Sequence, residues 1–357
     1  MKILVISEGK HSTSAIDLWR IWRPMQELAK YVDWQIDYQD RVIRGQDEIT
    51  DSETFIKEHG EAEVDHLGQY DIIFTTYFTS PYIAAVLYGA KVKYGTKTII
   101  DFDDDVYDID PINQFWLKAG QDAAYYLQRL AATTSYISTT TPYLATKLKN
   151  KSESKAMVYT LPNVIGHDYE QYNPDNGNKV VVGYFGGSSH YDDLHDTGVL
   201  PAIRKIMNER KDVCFKCVGL PIDEYLPKAR TTILDPVASE KWTGDMFPKL
   251  NFDIAIAPLK DTQFNRSKSD IKWQESTRMG AAFVASAVEP YKRLPGGAAV
   301  VTNNTQSDWY EAITKLLDKP TRNMQVDNAR VALKQRIDSE NWKHYKTMFE
   351  EVASENN

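Results

Sequence analysis

The sequence predicts an α/β protein with two Rossmann-like domains, each built on a parallel sheet. Three observations favour this fold class. Short apolar runs alternate with helical segments in the first half of the chain, which is typical of a parallel sheet covered on both faces. The same alternation restarts at Lys179, after the linker-like pair Pro162–Asn163. The 357 residues are also enough for two domains with separate cores.

In the first half, three apolar runs predict buried parallel strands. They are Lys2–Ser7, Asp71–Thr75 and Thr98–Phe102. The third strand runs into an acidic segment that contains Asp103, Asp104 and Asp105. Because this architecture binds ligands at the carboxyl ends of its strands, a carboxylate here can act as a general base or accept hydrogen bonds. A metal site and a solvated acidic turn are the alternatives.

The segment after the first strand carries two arginines. Arg20 and Arg23 lie in WRIWRP, where the pattern predicts a loop that runs into a helix. Guanidinium groups at this place could clamp a phosphate or an acceptor molecule. An exposed helix with two arginines accounts for the same pattern.

In the second half, Lys179–Phe185 predicts a buried strand that ends in a glycine-rich turn. The turn contains Gly186, Gly187 and Ser188, and His190 follows just before a predicted helix. A turn of this kind lets backbone N–H groups approach a phosphate closely. His190 then lies near that phosphate, or it caps its own helix.

The segment from Asn265 to Ser286 follows another predicted strand and contains a helix that ends near Gly280. The spacing i, i+4, i+7 predicts that Lys268, Lys272 and Glu275 share one face of this helix. A helix amino terminus favours an anion, and two lysines beside it strengthen that preference, so the pattern indicates a diphosphate site. Glu275 could accept hydrogen bonds from sugar hydroxyls. A solvated helix face is the alternative.

Composition limits the classes of function. The net charge of −8 and the pI of about 5.5 provide no global basic field for nucleic acid. The amino-terminal apolar run is too short for a signal peptide or a membrane span, so we expect a cytoplasmic protein without a transmembrane segment. Cys214 and Cys217 are three residues apart on a predicted strand, which points their thiols to opposite faces and disfavours a metal or redox site.

Three places in the chain resemble GT-B glycosyltransferases of the retaining family 4-like group. They are the crossover at Pro162–Asn163, the loop Gly186–Leu194 and the helix Lys268–Gly280. The acidic run Asp101–Asp105, the loop and the helix resemble those of a bacterial and phage subgroup with D-x-D-D-D and K-S-x-x-K-x-x-E motifs. Glu275 takes the place of the second glutamate of the group's E-x7-E pattern, whereas Ser267 replaces the first.

The resemblance implies a GT-B fold, in which two Rossmann-like domains face each other across a cleft. Residues 1–163 would form the acceptor domain and residues 164–338 the donor domain, while the helix in 339–357 would cross back to the first domain. It implies transfer of a hexose from a nucleotide diphosphate sugar, with UDP favoured. We expect retention of configuration, no metal, and no cofactor besides this co-substrate.

Site residues are assigned from the matching motifs. We expect donor contacts from Gly186, Gly187, Ser188, Asn265, Lys268, Lys272 and Glu275. We expect acceptor contacts from Arg20, Arg23 and Asp105, and catalytic roles for Asp103, Asp104 and His190. Asp103 could instead be the base of an inverting reaction.

The acceptor stays open among a glycan, a lipid-linked glycan, a protein and a modified base in phage DNA. Two other classes of function also fit the sequence. One is a sugar-nucleotide 2-epimerase, and the other is a sugar-nucleotide-binding module without catalytic activity.

Overall fold

The computed structural model describes residues 1–7, 17–40, 52–108, 114–153, 155–165, 171–187, 190–222, 226–237, 249–338 and 341–355. Contacts within the chain define two compact units. The N-terminal unit comprises Met1–Pro111, Phe115–Gly166 and Glu340–Asn357. The C-terminal unit comprises His167–Ser339 together with Ile112–Gln114.

The N-terminal unit is built on a six-stranded parallel sheet in the order β2-β1-β3-β4-β5-β6. Its strands are β1 (Lys2–Ile6), β2 (Gln35–Gln39), β3 (Ile72–Thr76), β4 (Lys97–Phe102), β5 (Tyr136–Thr139) and β6 (Met157–Thr160). A π-helix spans Asp17–Trp22, followed by α1 (Arg23–Leu28), α2 (Ser52–Leu67), α3 (Pro81–Tyr94), α4 (Gln114–Thr133) and α5 (Pro142–Lys151). The sequence did not predict β2 or α2.

Helices cover both faces of this sheet because alternate side chains of each strand point to opposite sides. Leu4 and Ile6 of β1 pack in the cluster that contains α3, α4 and α5. Ile3 and Val5 pack in a second cluster on the other face, together with α1. Both sides of the strand are therefore apolar, as expected for a parallel sheet.

The C-terminal unit also has a six-stranded parallel sheet, in the order β12-β11-β10-β7-β8-β9. Its strands are β7 (Val180–Phe185), β8 (Val213–Val218), β9 (Thr231–Leu234), β10 (Ile254–Ala257), β11 (Ala282–Ser286) and β12 (Val300–Thr302). Its helices are α6 (Tyr191–Asp196), α7 (Val199–Glu209), α8 (Gln263–Ser267), α9 (Ile271–Arg278), α10 (Glu289–Lys292), α11 (Gln306–Leu317) and α12 (Lys319–Asp338), with a 3₁₀ turn at Lys228–Arg230. The helix predicted for 239–250 lies mostly outside the described residues.

Numbered within the C-terminal unit, the strands follow the order 3-2-1-4-5-6 of a dinucleotide-binding fold. The direction of strand addition reverses between β7 and β10. Ligands of such sheets bind in the crevice outside the carboxyl ends of the two strands at this switch point. The predicted α/β class with two Rossmann-like sheets is confirmed.

The last helix, α13 (Trp342–Ser354), belongs to the N-terminal unit although it follows the C-terminal unit in the chain. Its residues Tyr345, Met348, Phe349 and Val352 are fully buried against β1 and β3. The Nζ of Lys97 donates hydrogen bonds to carbonyl oxygens at the end of this helix, including Val352 O at 2.8 Å. A buried lysine thus satisfies the terminal carbonyls of α13.

Candidate functional site

The candidate site lies at the switch point of the C-terminal unit. Here β7 ends at Phe185 and β10 ends at Ala257. The loops that follow these strands carry the glycine turn at Gly186 and the segment Leu259–Lys260. Helices α6 and α9 contribute the charged side chains of the site.

Asp193 of α6 links these loops. It is 4% exposed, and its Oδ1 accepts hydrogen bonds from the backbone N–H of Lys260 and from Nδ2 of Asn265, both at 2.8 Å. Its Oδ2 pairs with Nδ1 of His190 at 2.8 Å. Burial alone would raise the pKa of Asp193, but the bonds from His190 and the Lys260 N–H hold it below its ordinary value. Asp193 is therefore a buried carboxylate.

His190 is held as a neutral imidazole. Burial lowers the pKa of His190 to about 4, and the positive charge of Lys272 adds to this effect despite the bond to Asp193. Because a carboxylate oxygen can only accept, Nδ1 carries the ring proton and Nε2 keeps its lone pair. The ring can accept a proton or a hydrogen bond at Nε2.

The loop after β10 is fixed on both sides. The Leu259 N–H donates to Ser286 Oγ at 2.8 Å, and Asn304 Nδ2 donates to the Leu259 carbonyl at 2.7 Å. Ser286 Oγ in turn donates to Asn304 Oδ1 at 2.6 Å. Since Asp193 accepts from the N–H of the next residue, Lys260, hydrogen bonds hold two successive residues at this edge of the switch point.

Lys272 is the second residue of α9, which begins after Asp270 and ends before Gly280. Its Nζ is buried and has no hydrogen-bond partner among the described residues. It lies 4.9 Å from the ring centre of Tyr184 and 5.9 Å from that of Phe185. Burial lowers the pKa of Lys272 from 10.5 to about 8, partly offset by Asp193. A buried ammonium group without a hydrogen-bonding acceptor is costly, so the position indicates an anionic ligand.

The structure corrects the prediction that Lys268 shares one helix with Lys272 and Glu275. Lys268 is the extended residue that terminates the short helix α8, with φ −64° and ψ 156°. Asp270 then starts the new helix α9, so the spacing of seven does not describe a single stripe. Lys268 still lies near Lys272, because its charge contributes to the lowered pKa of Lys272.

Glu275 and Ser267 are both buried. Glu275 is 5% exposed on α9, one turn beyond Lys272, and its charge raises the pKa of Lys272 against the effect of burial. Ser267, at the position of the first glutamate in the family pattern, is fully buried and donates to Gln263 O at 3.1 Å. Its hydroxyl therefore forms a hydrogen bond within helix α8.

The other residues predicted to contact the donor differ in their contacts and exposure. Asn265 uses its amide nitrogen on Asp193 and on Lys260 O at 3.0 Å, which gives it a supporting role in the loop. Gly186 lies directly beside Lys272, whereas Gly187 is exposed. Ser188 lies outside the described residues.

In the N-terminal unit, the structure corrects the expectation that Arg20 contacts an acceptor. Arg20 is 1% exposed and pairs with Asp101 through Nε at 2.9 Å and Nη2 at 2.7 Å. Its Nη1 donates to Leu161 O and to Asn163 Oδ1. Although burial opposes the charged form, Asp101 raises the pKa of Arg20 above its ordinary value. Arg20 therefore ties β4 to the predicted crossover segment.

Asp105 is likewise a structural residue, which corrects its assignment to acceptor binding. It is fully buried, its Oδ2 accepts from Lys147 Nζ at 2.5 Å, and its Oδ1 accepts from the Tyr107 N–H at 3.1 Å. Asp103 and Asp104 are partly exposed in the segment between Asp101 and Asp105. They remain the candidates for chemistry in this unit.

Arg23 begins α1 and is partly exposed. Its guanidinium carbon lies 4.9 Å from the ring centre of Trp19. Its predicted contact with an acceptor stays a prediction.

Sequence reasoning did not single out Asp193 and Tyr184, which lie beside the predicted site residues His190 and Lys272. Asp193 was visible in the loop motif, but the bonds to Lys260 and Asn265 join residues about 70 positions apart in the chain. Tyr184 lies within an apolar strand, where an aromatic residue ordinarily signals only core.

Within the described ranges, no cluster of three or more His, Cys, Asp and Glu side chains has the geometry to hold a metal ion. Among the same residues, the helices are all too short or too polar to span a bilayer.

No family model and no curated protein matches this chain by sequence. Solved structures do match over nearly its whole length. Anabaena Alr3699/HepE in complex with UDP and glucose has a TM-score of 0.65 at 15% identity, covering 99% of this chain and 100% of that chain. Sucrose-phosphate synthase from Thermosynechococcus elongatus has a TM-score of 0.66 at 12% identity, covering 98% and 99%.

The lipopolysaccharide outer core galactosyltransferase WaaB, in its apo form, has a TM-score of 0.60 at 11% identity, covering 98% of this chain and 99% of that chain. Together with the two Rossmann-like sheets, these similarities show that the chain has the GT-B fold.

Proposed function

We propose that this protein is a glycosyltransferase that moves a hexose from a nucleotide diphosphate sugar to an acceptor hydroxyl. The observation that carries the proposal is the buried Lys272 ammonium at the switch point, which has no hydrogen-bond partner within the described chain. A diphosphate supplies the missing negative charge. We favour a UDP-sugar because HepE, which has the same fold, binds UDP-glucose.

Lys272 and the amino end of α9 stabilise the charge that develops on the departing diphosphate in this proposal. Lys268 adds a second positive charge close by. These groups supply the electrostatic stabilisation for which other enzymes use a metal ion. We therefore propose a reaction without a metal.

His190 keeps an unprotonated Nε2 at physiological pH, because burial and Lys272 lower its pKa to about 4. This nitrogen can accept a hydrogen bond from a hydroxyl group of the donor or the acceptor. Glu275 is the carboxylate that we assign to the sugar hydroxyls of the donor.

We propose retention of anomeric configuration, on the basis of the resemblance to the retaining group. Asp103 and Asp104 would serve as general base if the reaction were inverting. The anomer of the product distinguishes the two. A β-linked product from an α-linked donor would contradict retention.

For the acceptor we propose a glycan or a lipid-linked glycan. The acidic net charge of −8 disfavours a DNA acceptor. Binding of hydroxymethylated DNA with a steep salt dependence would contradict this choice. Incubation of labelled donor with glycan and DNA acceptors, followed by product analysis, separates these classes.

The central experiment is a thermal-shift titration with UDP-, GDP- and ADP-sugars on the wild type, Lys272→Met and the exposed control Lys315→Met. A bound donor at 100 times its dissociation constant stabilises the folded protein by about 2.7 kcal/mol. We expect a shift for the wild type and the control but not for Lys272→Met. The absence of a shift with every nucleotide sugar would contradict the proposal.

One observation favours a second candidate, a sugar-nucleotide-binding module without catalytic activity. Ser267 places a buried hydroxyl, bonded within its own helix, where the family pattern has a glutamate. Donor hydrolysis measured on the wild type and Glu275→Ala separates the two candidates. Turnover that is lost in Glu275→Ala indicates an enzyme, and equal absence of turnover in both indicates the module.

A further inference from the structure

A second buried donor lies beside Lys272. Tyr184, the fifth residue of β7, is fully buried, and its hydroxyl has no hydrogen-bond partner in the part of the chain that the structure describes. The same holds for Lys272 Nζ, which lies 4.9 Å from the centre of the Tyr184 ring. Two unsatisfied polar groups of different elements therefore meet at the end of β7.

Gly186 shows that both groups converge on one point of the backbone. A Cβ atom placed on Gly186 would lie 2.4 Å from Tyr184 Oη and 3.1 Å from Lys272 Nζ. The φ of Gly186 is not in the left-handed region, so its backbone would accept other residues. The close approach of the Tyr184 and Lys272 side chains to its Cα is what requires glycine at this position.

Both groups are hydrogen-bond donors at neutral pH. Burial raises the pKa of the Tyr184 hydroxyl well above its ordinary value, so the phenol keeps its proton. With a pKa of about 8, Lys272 carries its ammonium charge below that pH. A buried donor left unsatisfied destabilises the folded state. Two donors, one of them charged, match an anionic oxygen better than a neutral one.

We propose that Tyr184 Oη and Lys272 Nζ, which converge beside Gly186, jointly bind one phosphoryl oxygen of the diphosphate. Tyr184 is thereby a phosphate-binding residue, although it lies within an apolar strand. The inference rests on the proposed function, because it names the contact that the donor diphosphate makes. Gly186 directly follows the carboxyl end of β7, and sheets of this topology bind ligands at the switch point there.

The test is calorimetric binding of UDP, GDP, ADP, inorganic pyrophosphate and uridine to the wild type and Tyr184→Phe. A hydrogen bond to a charged group corresponds to an affinity loss of roughly tenfold to a hundredfold. We expect this loss for the nucleoside diphosphate that the wild type binds and for pyrophosphate. Uridine has no phosphate, so its affinity for the two proteins should be equal.

Tyr345→Phe is the matched control. Tyr345 is also fully buried, but its hydroxyl bonds to Arg20 O in the N-terminal unit. The control should bind every ligand as the wild type does. Tyr184→Phe removes an unsatisfied hydroxyl, so its thermal midpoint without ligand should equal or exceed that of the wild type.

A second pair of variants tests the position beside Gly186. Gly186→Ala places a methyl group against Tyr184 Oη, and we expect it to lower both the thermal midpoint and diphosphate affinity. Adding Tyr184→Phe removes the 2.4 Å contact with Oη and leaves the ring Cζ at 3.0 Å, so the double variant should regain part of the midpoint but not the affinity. Recovery of diphosphate binding in the double variant would overturn the inference.

Failure of the inference differs from failure of the proposed function. Equal diphosphate affinities of the wild type and Tyr184→Phe mean that the Tyr184 hydroxyl does not contact the diphosphate, which overturns the inference alone. Binding of pyrophosphate that depends on Tyr184, without binding of any nucleotide sugar, supports the inference and contradicts the proposed function. Absence of binding by all five probes overturns both.

Discussion

Replacement of Lys272 by methionine should stabilise the protein in the absence of ligand. The pKa of Lys272 falls from 10.5 to about 8, and each pKa unit corresponds to about 1.4 kcal/mol, so the charged form costs the folded state about 3 kcal/mol at pH 7. The variant also loses the ammonium contacts with the Tyr184 and Phe185 rings, which costs it about 1 kcal/mol. The net gain is therefore about 2 kcal/mol.

The sign of the effect also fixes its pH dependence. Because the folded-state pKa lies below the unfolded-state value, the destabilisation by Lys272 is complete below about pH 8. It disappears as the pH approaches 10.5, where the unfolded chain also loses the proton. The difference in unfolding free energy between Lys272→Met and the wild type should consequently shrink from pH 7 to pH 10.

Urea denaturation at pH 7 and pH 10 measures this difference, and calorimetry should show a rise of about 4–8 °C in the transition of the C-terminal unit at pH 7. Lys315→Met, which removes an exposed lysine of α11, should leave both values unchanged. A Lys272→Met protein that is no more stable than the wild type would refute the claim that the amine is buried and unsatisfied.

Three further outcomes follow from the site and its surroundings. The affinity for UDP should fall about tenfold per pH unit above about pH 8, because Lys272 loses its proton there. The charged groups that act on the pKa of Lys272 are Asp193, Glu275 and Lys268. Lys272→Arg should abolish the pH dependence of the affinity in a binding titration, because an arginine stays charged. Asp193→Asn should reduce kcat by about a hundredfold, because His190 loses its fixed orientation, and it should raise donor KM, because the pKa of Lys272 loses the offset from the Asp193 charge; an unchanged kcat in steady-state kinetics would exclude the role in orienting His190. Arg20→Met should destabilise the N-terminal unit by about 3–5 kcal/mol in urea while UDP affinity stays the same, because it leaves Asp101 buried and unpaired.

The sheets could be predicted from the sequence because their strands are continuous apolar runs. KILVI and VVVGYF have the composition of strands that are buried on both faces, and both form such strands here. The edge strand Gln35–Gln39 escaped prediction because its polar residues and partial exposure give no such run. Local composition therefore identifies central strands better than edge strands.

The site was predicted less completely because its chemistry depends on partners that are distant in the chain. Arg20 resembled an exposed binding residue, but it forms a buried ion pair with Asp101, which is 81 positions away in the chain. The prediction that Lys268, Lys272 and Glu275 share one helix face was wrong because a second helix begins at Asp270, between the two lysines. Lys272 itself was identified correctly as a lysine near a helix start, but only the fold reveals that its amine is buried.

The course of the chain through the two units has a consequence for synthesis on the ribosome. The first 166 residues leave one face of their sheet without α13, which is made only after the whole C-terminal unit. The apolar surface of β1 and β3 is therefore not covered until Tyr345 and Phe349 have been synthesised. The later-encoded unit can finish folding while the earlier one still exposes a face that chaperones would recognise.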